Sequence, residues 1–133
     1  MGNYQSISFI NFEQIQEYIQ GDGDKCLIHT MNSTEQQCLI HKSLTDIQET
    51  SIINKYLSQS NKTQYIYIYG KNSTDKTVYI KFEQLKKLGF VNVYVYIGGL
   101  FEWLCLQDIY GKELFPTKGS ELDILKYKPE RSK

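Results

Sequence analysis

The chain has 133 residues, which is enough for one domain with a single core and too few for two ordinary domains. Its 15 basic and 15 acidic residues cancel to a formal net charge of zero. That balance argues against a protein whose main task is to neutralise the phosphates of DNA or RNA, so we expect no nucleic-acid partner. The sequence has neither an apolar stretch of transmembrane length nor a signal-peptide pattern.

The three cysteines are far apart, and each lies in an apolar stretch. Cys26 and Cys38 each begin the sequence CLI, and Cys105 lies within WLCL. Because there is no CxxC pair, a structural zinc site is not indicated. We interpret all three as reduced, buried thiols of a cytoplasmic protein, and we expect neither a metal nor a cofactor.

The first part of the chain predicts one helix followed by two short strands. Residues 11–20 place apolar side chains on one helical face, and Asn11 is a suitable N-cap. The sequence CLIHT, residues 26–30, is typical of a short buried strand. Residues 38–40 are a second strand candidate.

The middle of the chain predicts a helix, a strand and another helix. Thr45 and Gln48 have the spacing of a capping box that opens a helix. The apolar residues of that helix are Ile47, Ile52, Ile53, Tyr56 and Leu57. Residues 65–69 predict a strand, and residues 75–88 predict a helix with Gly89 at its C-terminal end.

The last part of the chain predicts one more strand and one more helix. Residues 91–97 are β-branched and aromatic, and two glycines then turn the chain into a helix that ends at Gly111. Residues 120–125 are expected to form one or two helical turns. Strands that alternate with helices predict βαβ units and a mostly parallel sheet with helices on both faces.

The sequence YIYIYGKNSTDK, residues 65–76, joins a strand to a helix through a short polar loop. In parallel α/β folds, ligands bind beyond the carboxyl ends of the strands and beside helix N-termini. The loop therefore lies where an anion or a nucleophile is commonly held. Its residues are Gly70, Lys71, Asn72, Ser73, Thr74, Asp75 and Lys76.

Residues 85–103, LKKLGFVNVYVYIGGLFEW, resemble the C-terminal half of a rhodanese domain. That family ends its active-site helix with an L-x-x-x-G-F/Y turn, continues with a strand of the NVYVL type, and then has GG and a helix bearing a tryptophan. The matching residues are Leu85, Gly89, Phe90, Val93, Tyr94, Val95, Gly98, Gly99 and Trp103. The strand at 65–69 matches the one that carries the catalytic loop, and the likeness covers about residues 8–111.

The resemblance implies a rhodanese-like three-layer α/β/α fold with a mostly parallel central sheet. We expect a flexible segment at residues 1–7, the domain at 8–119 and a C-terminal extension at 120–133. The sequence is also similar to small rhodanese-like proteins of giant DNA viruses and protists, through MGN at its start, YGKNS, GGLFEWL with LQDIYG, and ELDILKYKP.

The loop departs from the family pattern at the position that carries the chemistry. In rhodaneses a cysteine at the first loop position attacks a sulfane sulfur and holds it as a persulfide, which the loop N–H groups and the helix dipole stabilise. Here that position is Gly70. Ser73 cannot carry a persulfide and would need a neighbouring base, so we expect no catalytic residue in the loop. What remains is either a degenerate anion-binding loop or an ordinary polar turn.

The family also commonly has Asp and Arg after the first strand of the domain. His29, Thr30 and Met31 stand there in this chain. We interpret His29 and His41 as hydrogen-bonded side chains rather than proton carriers or metal ligands.

These observations favour a non-catalytic binding or scaffold module, with a protein or a small anion as its partner. A sulfurtransferase that uses Cys26, Cys38 or Cys105 instead is the first alternative. The second is a structural component of a virion or cytoskeletal assembly that presents the sequence LQDIYGKELF, residues 106–115.

The first six residues, MGNYQS, match the myristoylation pattern M-G-x-x-x-[ST], with Gly2 as the acceptor and Ser6 at the small polar position. One myristoyl chain gives reversible membrane binding. We therefore expect a cytoplasmic protein with a weak peripheral membrane contact or a place in a virion.

Overall fold

The computed structural model describes residues 6–21, 23 and 25–130. In chain order its elements are β1 (Phe9–Ile10), α1 (Phe12–Gln20), β2 (Lys25–His29), β3 (Leu39–Ile40), α2 (Asp46–Ser58), β4 (Tyr65–Tyr69), α3 (Thr77–Lys87), β5 (Asn92–Tyr96), α4 (Gly99–Tyr110), β6 (Thr117–Lys118) and a 3-10 turn (Ile124–Tyr127).

The central sheet has four strands in the order β1-β5-β4-β2, and every neighbouring pair is parallel. Its register aligns Ile68 of β4 with Ile28 of β2 on one side and with Val95 of β5 on the other. The short strands β3 and β6 form a separate antiparallel pair. The predicted mostly parallel sheet is therefore confirmed.

Side chains on the two faces of the sheet enter two separate cores because consecutive strand residues point in opposite directions. Tyr67 and Tyr69 of β4 pack with residues of α1 and α4, including Ile15 and Trp103. Ile66 and Ile68 face the opposite way. They pack with α2 and α3 through Ile53, Val78, Phe82 and Leu85. Helices thus cover both faces, which confirms the three-layer arrangement.

The first two helices begin where their capping residues predict. The Asn11 side chain accepts a hydrogen bond from Glu13 N–H, and the Gln14 side chain bonds back to Asn11 N–H. Thr45 and Gln48 make the same reciprocal pair at the start of α2. Each box satisfies backbone N–H groups that have no partner within the helix.

Other details differ from the sequence-based expectations. The two-residue strands β1 and β6 were not predicted, and α3 begins at Thr77 rather than near residue 75. Ile47, counted among the apolar residues of α2, is 83% exposed. The helical turn expected at 120–125 is a 3-10 turn that ends at Tyr127, and the Tyr127 ring is buried in the core beside α4.

In the described part of the chain, no helix is both long enough and apolar enough to cross a membrane.

Candidate functional site

The 70–76 loop follows the carboxyl end of β4 and leads directly into α3. This places it at the edge of a parallel sheet where α/β proteins usually bind ligands. Gly70, at the first loop position, is buried, and so is Asn72, whereas Ser73 and Thr74 are exposed.

Gly70 has no room for a side chain unless Asp75 and Val78 move. A Cβ atom at this position would lie 2.5 Å from Asp75 Oδ2 and 2.9 Å from Val78 Cγ1, both closer than normal packing allows. The position that would carry a thiol is therefore filled by the carboxylate of Asp75 and by a core residue of α3.

The Asp75 carboxylate accepts hydrogen bonds from both sides of the loop. Its Oδ2 accepts from Lys71 N–H at 2.9 Å, and its Oδ1 accepts from Thr77 N–H at 3.0 Å and from the Thr77 hydroxyl at 2.6 Å. Backbone N–H groups at a helix N-terminus are natural partners for an anion. In this chain the anion is one of the loop's own residues.

Asn72 ties the loop to the C-terminal segment. Its Oδ1 accepts from the N–H and the hydroxyl of Thr74, and its side-chain NH₂ donates to Tyr127 O at 2.9 Å and Lys128 O at 3.2 Å. Because Asn72 is buried, its bond to Tyr127 O is shielded from water, and the other three bonds are partly shielded. The chain just after the 3-10 turn is thus held against the loop.

Backbone N–H groups at the start of α4 donate hydrogen bonds to the loop. Leu100 N–H donates to Gly70 O at 2.9 Å, and Phe101 N–H donates to Lys71 O at 2.8 Å. Gly99 makes this approach possible: its φ is +67°, and a Cβ atom there would lie 2.6 Å from Gly70 O. Gly99 therefore positions the loop as well as turning the chain.

The cationic and hydroxyl groups of the loop are poorly placed for chemistry. Lys71 Nζ lies 2.9 Å from Glu35 Oε2, and this hydrogen-bonded ion pair raises the pKa of Lys71 while cancelling its charge. Lys76 is exposed. The Ser73 hydroxyl is exposed too and makes no hydrogen bond within the described residues, so no base activates it.

None of the three thiols lies in a site that favours the thiolate. Cys26 and Cys38 are buried, and desolvation raises the pKa of Cys26 to about 12 and also raises that of Cys38. Cys105 is half-buried rather than fully buried as the sequence suggested, and desolvation raises its pKa as well. A reactive cysteine needs a lowered pKa, because the thiolate is the nucleophile.

The two histidines lie in different environments. His41 is exposed. His29 is buried at the end of β2, where Nδ1 accepts a hydrogen bond from Met31 N–H at 3.1 Å. Among the described residues, no group of three His, Cys, Asp or Glu side chains is arranged to hold a metal ion.

The structure thus places all seven predicted loop residues in one strand–loop–helix connection, but it gives two of them unexpected roles. Asp75 fills the loop, and Asn72 anchors the C-terminal segment. The sequence does contain a signal for the first role, because an Asp two residues before a helical Thr is typical of a turn that caps its own N–H groups. The partner of Asn72 lies about 55 residues away and has no sequence signal.

The parallel sheet, the helices on both of its faces and the loop at the carboxyl end of β4 define an α/β protein. The family model described as "Rhodanese-like domain" matches residues 12–105, most of the chain. The chain belongs to the rhodanese-like domain family. No curated protein matches it.

Solved structures share the fold at low sequence identity. The BH2092 protein from Bacillus halodurans has a TM-score of 0.62 and 18% identity, covering 84% of this chain and 77% of that one. The Alr3790 protein from Anabaena sp. has a TM-score of 0.59 and 18% identity, covering 88% of this chain and 97% of that one. The solution structure of the rhodanese-like domain of Alr3790 from Anabaena sp. also has a TM-score of 0.59 and 18% identity, covering 96% of this chain and 89% of that one.

Proposed function

We propose that this chain is a rhodanese-like domain that does not transfer sulfur and acts as a binding or scaffold module. The observation that carries the proposal is the pairing of Gly70 with Asp75. The first loop position has no thiol, and the space around it is taken by a carboxylate within 2.5 Å of where a Cβ atom would lie. A carboxylate there also repels the anionic sulfur donors and the thiolate on which the family's chemistry depends.

One observation favours an alternative function, a sulfurtransferase that uses a cysteine outside the loop. Cys105 lies on α4 and is partly exposed, so a sulfane donor has some access to it. Against this, burial and the nearby carboxylates of Asp108 and Glu102 raise the pKa of its thiol. We therefore place this activity second.

Thiosulfate:cyanide turnover separates the two functions. We expect the wild-type chain to show no turnover above the protein-free background, and the variants Cys26→Ser, Cys38→Ser and Cys105→Ser to be indistinguishable from it. Turnover that disappears in one of the three variants would establish the displaced-cysteine enzyme and end the proposal.

A small anion is the ligand that the sequence predicts at residues 70–76, but the carboxylate of Asp75 competes for the same N–H groups. Asp75 already bonds the N–H groups of Lys71 and Thr77, so an external anion would have to displace a carboxylate held by three hydrogen bonds. We propose that Asp75 is the resident anion of this loop and that sulfate or phosphate binds there when it is removed.

A role in a larger assembly is supported by exposed apolar side chains after α4. Ile109, Tyr110 and Leu114 are 70%, 59% and 50% exposed within the LQDIYGKELF sequence. We propose this segment as the contact surface for a protein partner. Size-exclusion chromatography of the pure chain beside a pull-down from its source tests this. A monomer that retains the same partner when Ile109 and Leu114 are both changed to Ser would refute it.

Two proposals, membrane attachment through Gly2 and membership of a giant-virus and protist subgroup, rest on the sequence alone. Gly2, the proposed myristoylation site, lies outside the described residues, and Ser6 is exposed. We propose a reversible peripheral anchor of the kind one acyl chain provides. We also propose membership of the giant-virus and protist subgroup, where a virion is the natural location. The intact mass of the protein from its native host tests whether the anchor is present. A mass that shows Gly2 without an acyl chain excludes it.

A further inference from the structure

A polar cleft of about 410 Å³ lies beside the loop, where β2 ends and α2 and α3 begin. His29 and Thr30 line it from the end of β2, Asp46 and Glu49 from the first turns of α2, and Lys81 from α3. It is a second feature at the carboxyl edge of the sheet, and none of its chemistry depends on residue 70. Met31 and Ile80 add apolar surface to its walls.

His29 leaves an unsatisfied hydrogen-bond donor at this cleft. Its side chain is 1% exposed, and Nδ1 accepts from Met31 N–H, so the proton of the neutral ring is on Nε2. Burial lowers the pKa of His29, which keeps the ring neutral. Nε2 is buried and makes no hydrogen bond within the described residues. Buried polar groups almost always have a partner, and the nearest acceptor, Asp46 Oδ1, lies 3.5 Å away, beyond the usual hydrogen-bond distance.

The charges in the cleft do not balance. Lys81 Nζ lies 2.6 Å from Glu49 Oε2, and the two charges cancel. Asp46 has neutral partners instead: Oδ2 accepts from the Gln36 amide at 3.2 Å, and Oδ1 lies 3.5 Å from Nε2 of the neutral His29. The cleft therefore carries one uncompensated negative charge, on a side chain that is 66% exposed.

A metal ion does not fit this arrangement. A metal on Nε2 would require the ring proton to move to Nδ1, where the N–H of Met31 already points. The described residues also offer no set of three ligands at this position. An anion is disfavoured by the charge of Asp46.

We propose that this cleft binds a small organic cation that also carries a hydrogen-bond acceptor, such as an amino amide. Its ammonium group pairs with Asp46, and its carbonyl oxygen accepts from His29 Nε2–H. The Asp46 carboxylate lies over Nε2 and turns aside to admit the ligand, which its exposure allows. The Thr30 hydroxyl lies 2.7 Å from the Thr77 hydroxyl. Because the single hydroxyl proton of Thr77 goes to Asp75, Thr30 donates to Thr77, and its free lone pair is a further acceptor for the ammonium group.

Glycinamide is the probe for this proposal, and a ¹H–¹⁵N NMR titration of the full chain is the measurement. We expect saturable shifts at residues 29–31, 46–50 and 77–84, and none of that pattern with uncharged acetamide or with acetate. The variant Asp46→Asn should weaken binding roughly two- to fivefold, as for a partly exposed ion pair. Asp108→Asn, on the exposed side of α4, makes the same charge change and should leave the affinity unaltered.

Three results would overturn the proposal. The first is the absence of a saturable shift at these residues up to the solubility of glycinamide. The second is equal binding of acetamide, which would show that the ammonium group contributes nothing. The third is an affinity unchanged in Asp46→Asn while the spectrum shows a folded variant.

Discussion

Gly70 and Asp75 depend on each other, because the carboxylate of one fills the space that a side chain on the other would need. Asp75 in turn holds the N–H groups of Lys71 and Thr77. A glycine at the first loop position thus permits a compact, internally bonded turn. The same contact predicts that a cysteine side chain at position 70 would displace the Asp75 carboxylate.

The pair predicts coupled mutational effects. In Gly70→Ala the new methyl group pushes Asp75 away from Lys71 N–H, and we expect a loss of about 1–3 kcal/mol in the free energy of unfolding. In an Asp75→Ala background the same substitution should cost less, because part of the overlap is gone. Urea denaturation of the wild type, the two single variants and the double variant measures this coupling.

Gly23→Ala is the matched control, since no atom lies within 4 Å of a Cβ at Gly23. It should leave stability nearly unchanged. If the effects of Gly70→Ala and Asp75→Ala simply added, the proposed contact between the two positions would be wrong.

His29 predicts how stability varies with pH. Desolvation lowers the pKa of His29 in the folded state, although Asp46 and Glu49 act in the opposite direction. As the pH falls below about 6.5, the unfolded chain binds a proton that the folded chain takes up less readily. The folded state should therefore lose stability between pH 7 and pH 5.

Urea denaturation at several pH values tests this with two variants. His29→Gln should reduce the loss of stability on acidification, whereas His41→Gln, at an exposed position, should keep the wild-type pH profile. An unchanged profile in His29→Gln would mean that other groups cause the pH dependence.

The elements differ in how far local sequence determines them. The two capping boxes and the apolar run of β4 predict α1, α2 and β4 because their signals lie within a few residues. The two-residue strands β1 and β6 have no such signal. They exist because β5 and β3 offer them backbone partners from distant parts of the chain.

The candidate site, too, can be predicted from local sequence only in part. Its position follows from the order strand, loop, helix, and the lack of a loop thiol is evident in the sequence. The cleft at His29 brings together the end of β2, α2 and α3, so tertiary packing alone reveals it. For Ile47 the sequence predicts too much: it counts this residue with the apolar side chains of α2, but the side chain is exposed, since an apolar residue on a helix need not face a core.

The link between the loop and the C-terminal segment predicts the effect of Asn72→Asp. Aspartate keeps an acceptor for Thr74, but it loses the donor to Tyr127 O and Lys128 O and places a charge beside both carbonyl oxygens. We expect a loss of about 1–3 kcal/mol in stability. Trypsin should also cleave faster after Lys126.

Asn54→Asp, at an exposed position on α2, introduces the same charge elsewhere and should change neither property. Equal rates of cleavage in the wild type and Asn72→Asp would show that Asn72 does not hold the segment.

At the scale of the whole molecule, the chain has the family's sheet and helices, and its loop closes around an internal carboxylate. Both faces of the sheet bury large side chains, including Trp103 on one side and Phe82 on the other. A fold of this kind can keep its shape while its site residues change, because function resides in a few site residues.

An NMR titration with thiosulfate tests most directly whether Asp75 occupies the loop. In the wild-type chain, the backbone N–H signals of Lys71 and Thr77 should not move, because both groups already bond the carboxylate of Asp75. In Asp75→Ala, the freed N–H groups should show saturable shifts with thiosulfate. Saturable shifts of these two signals in the wild type, or their absence in a folded Asp75→Ala, would contradict the account.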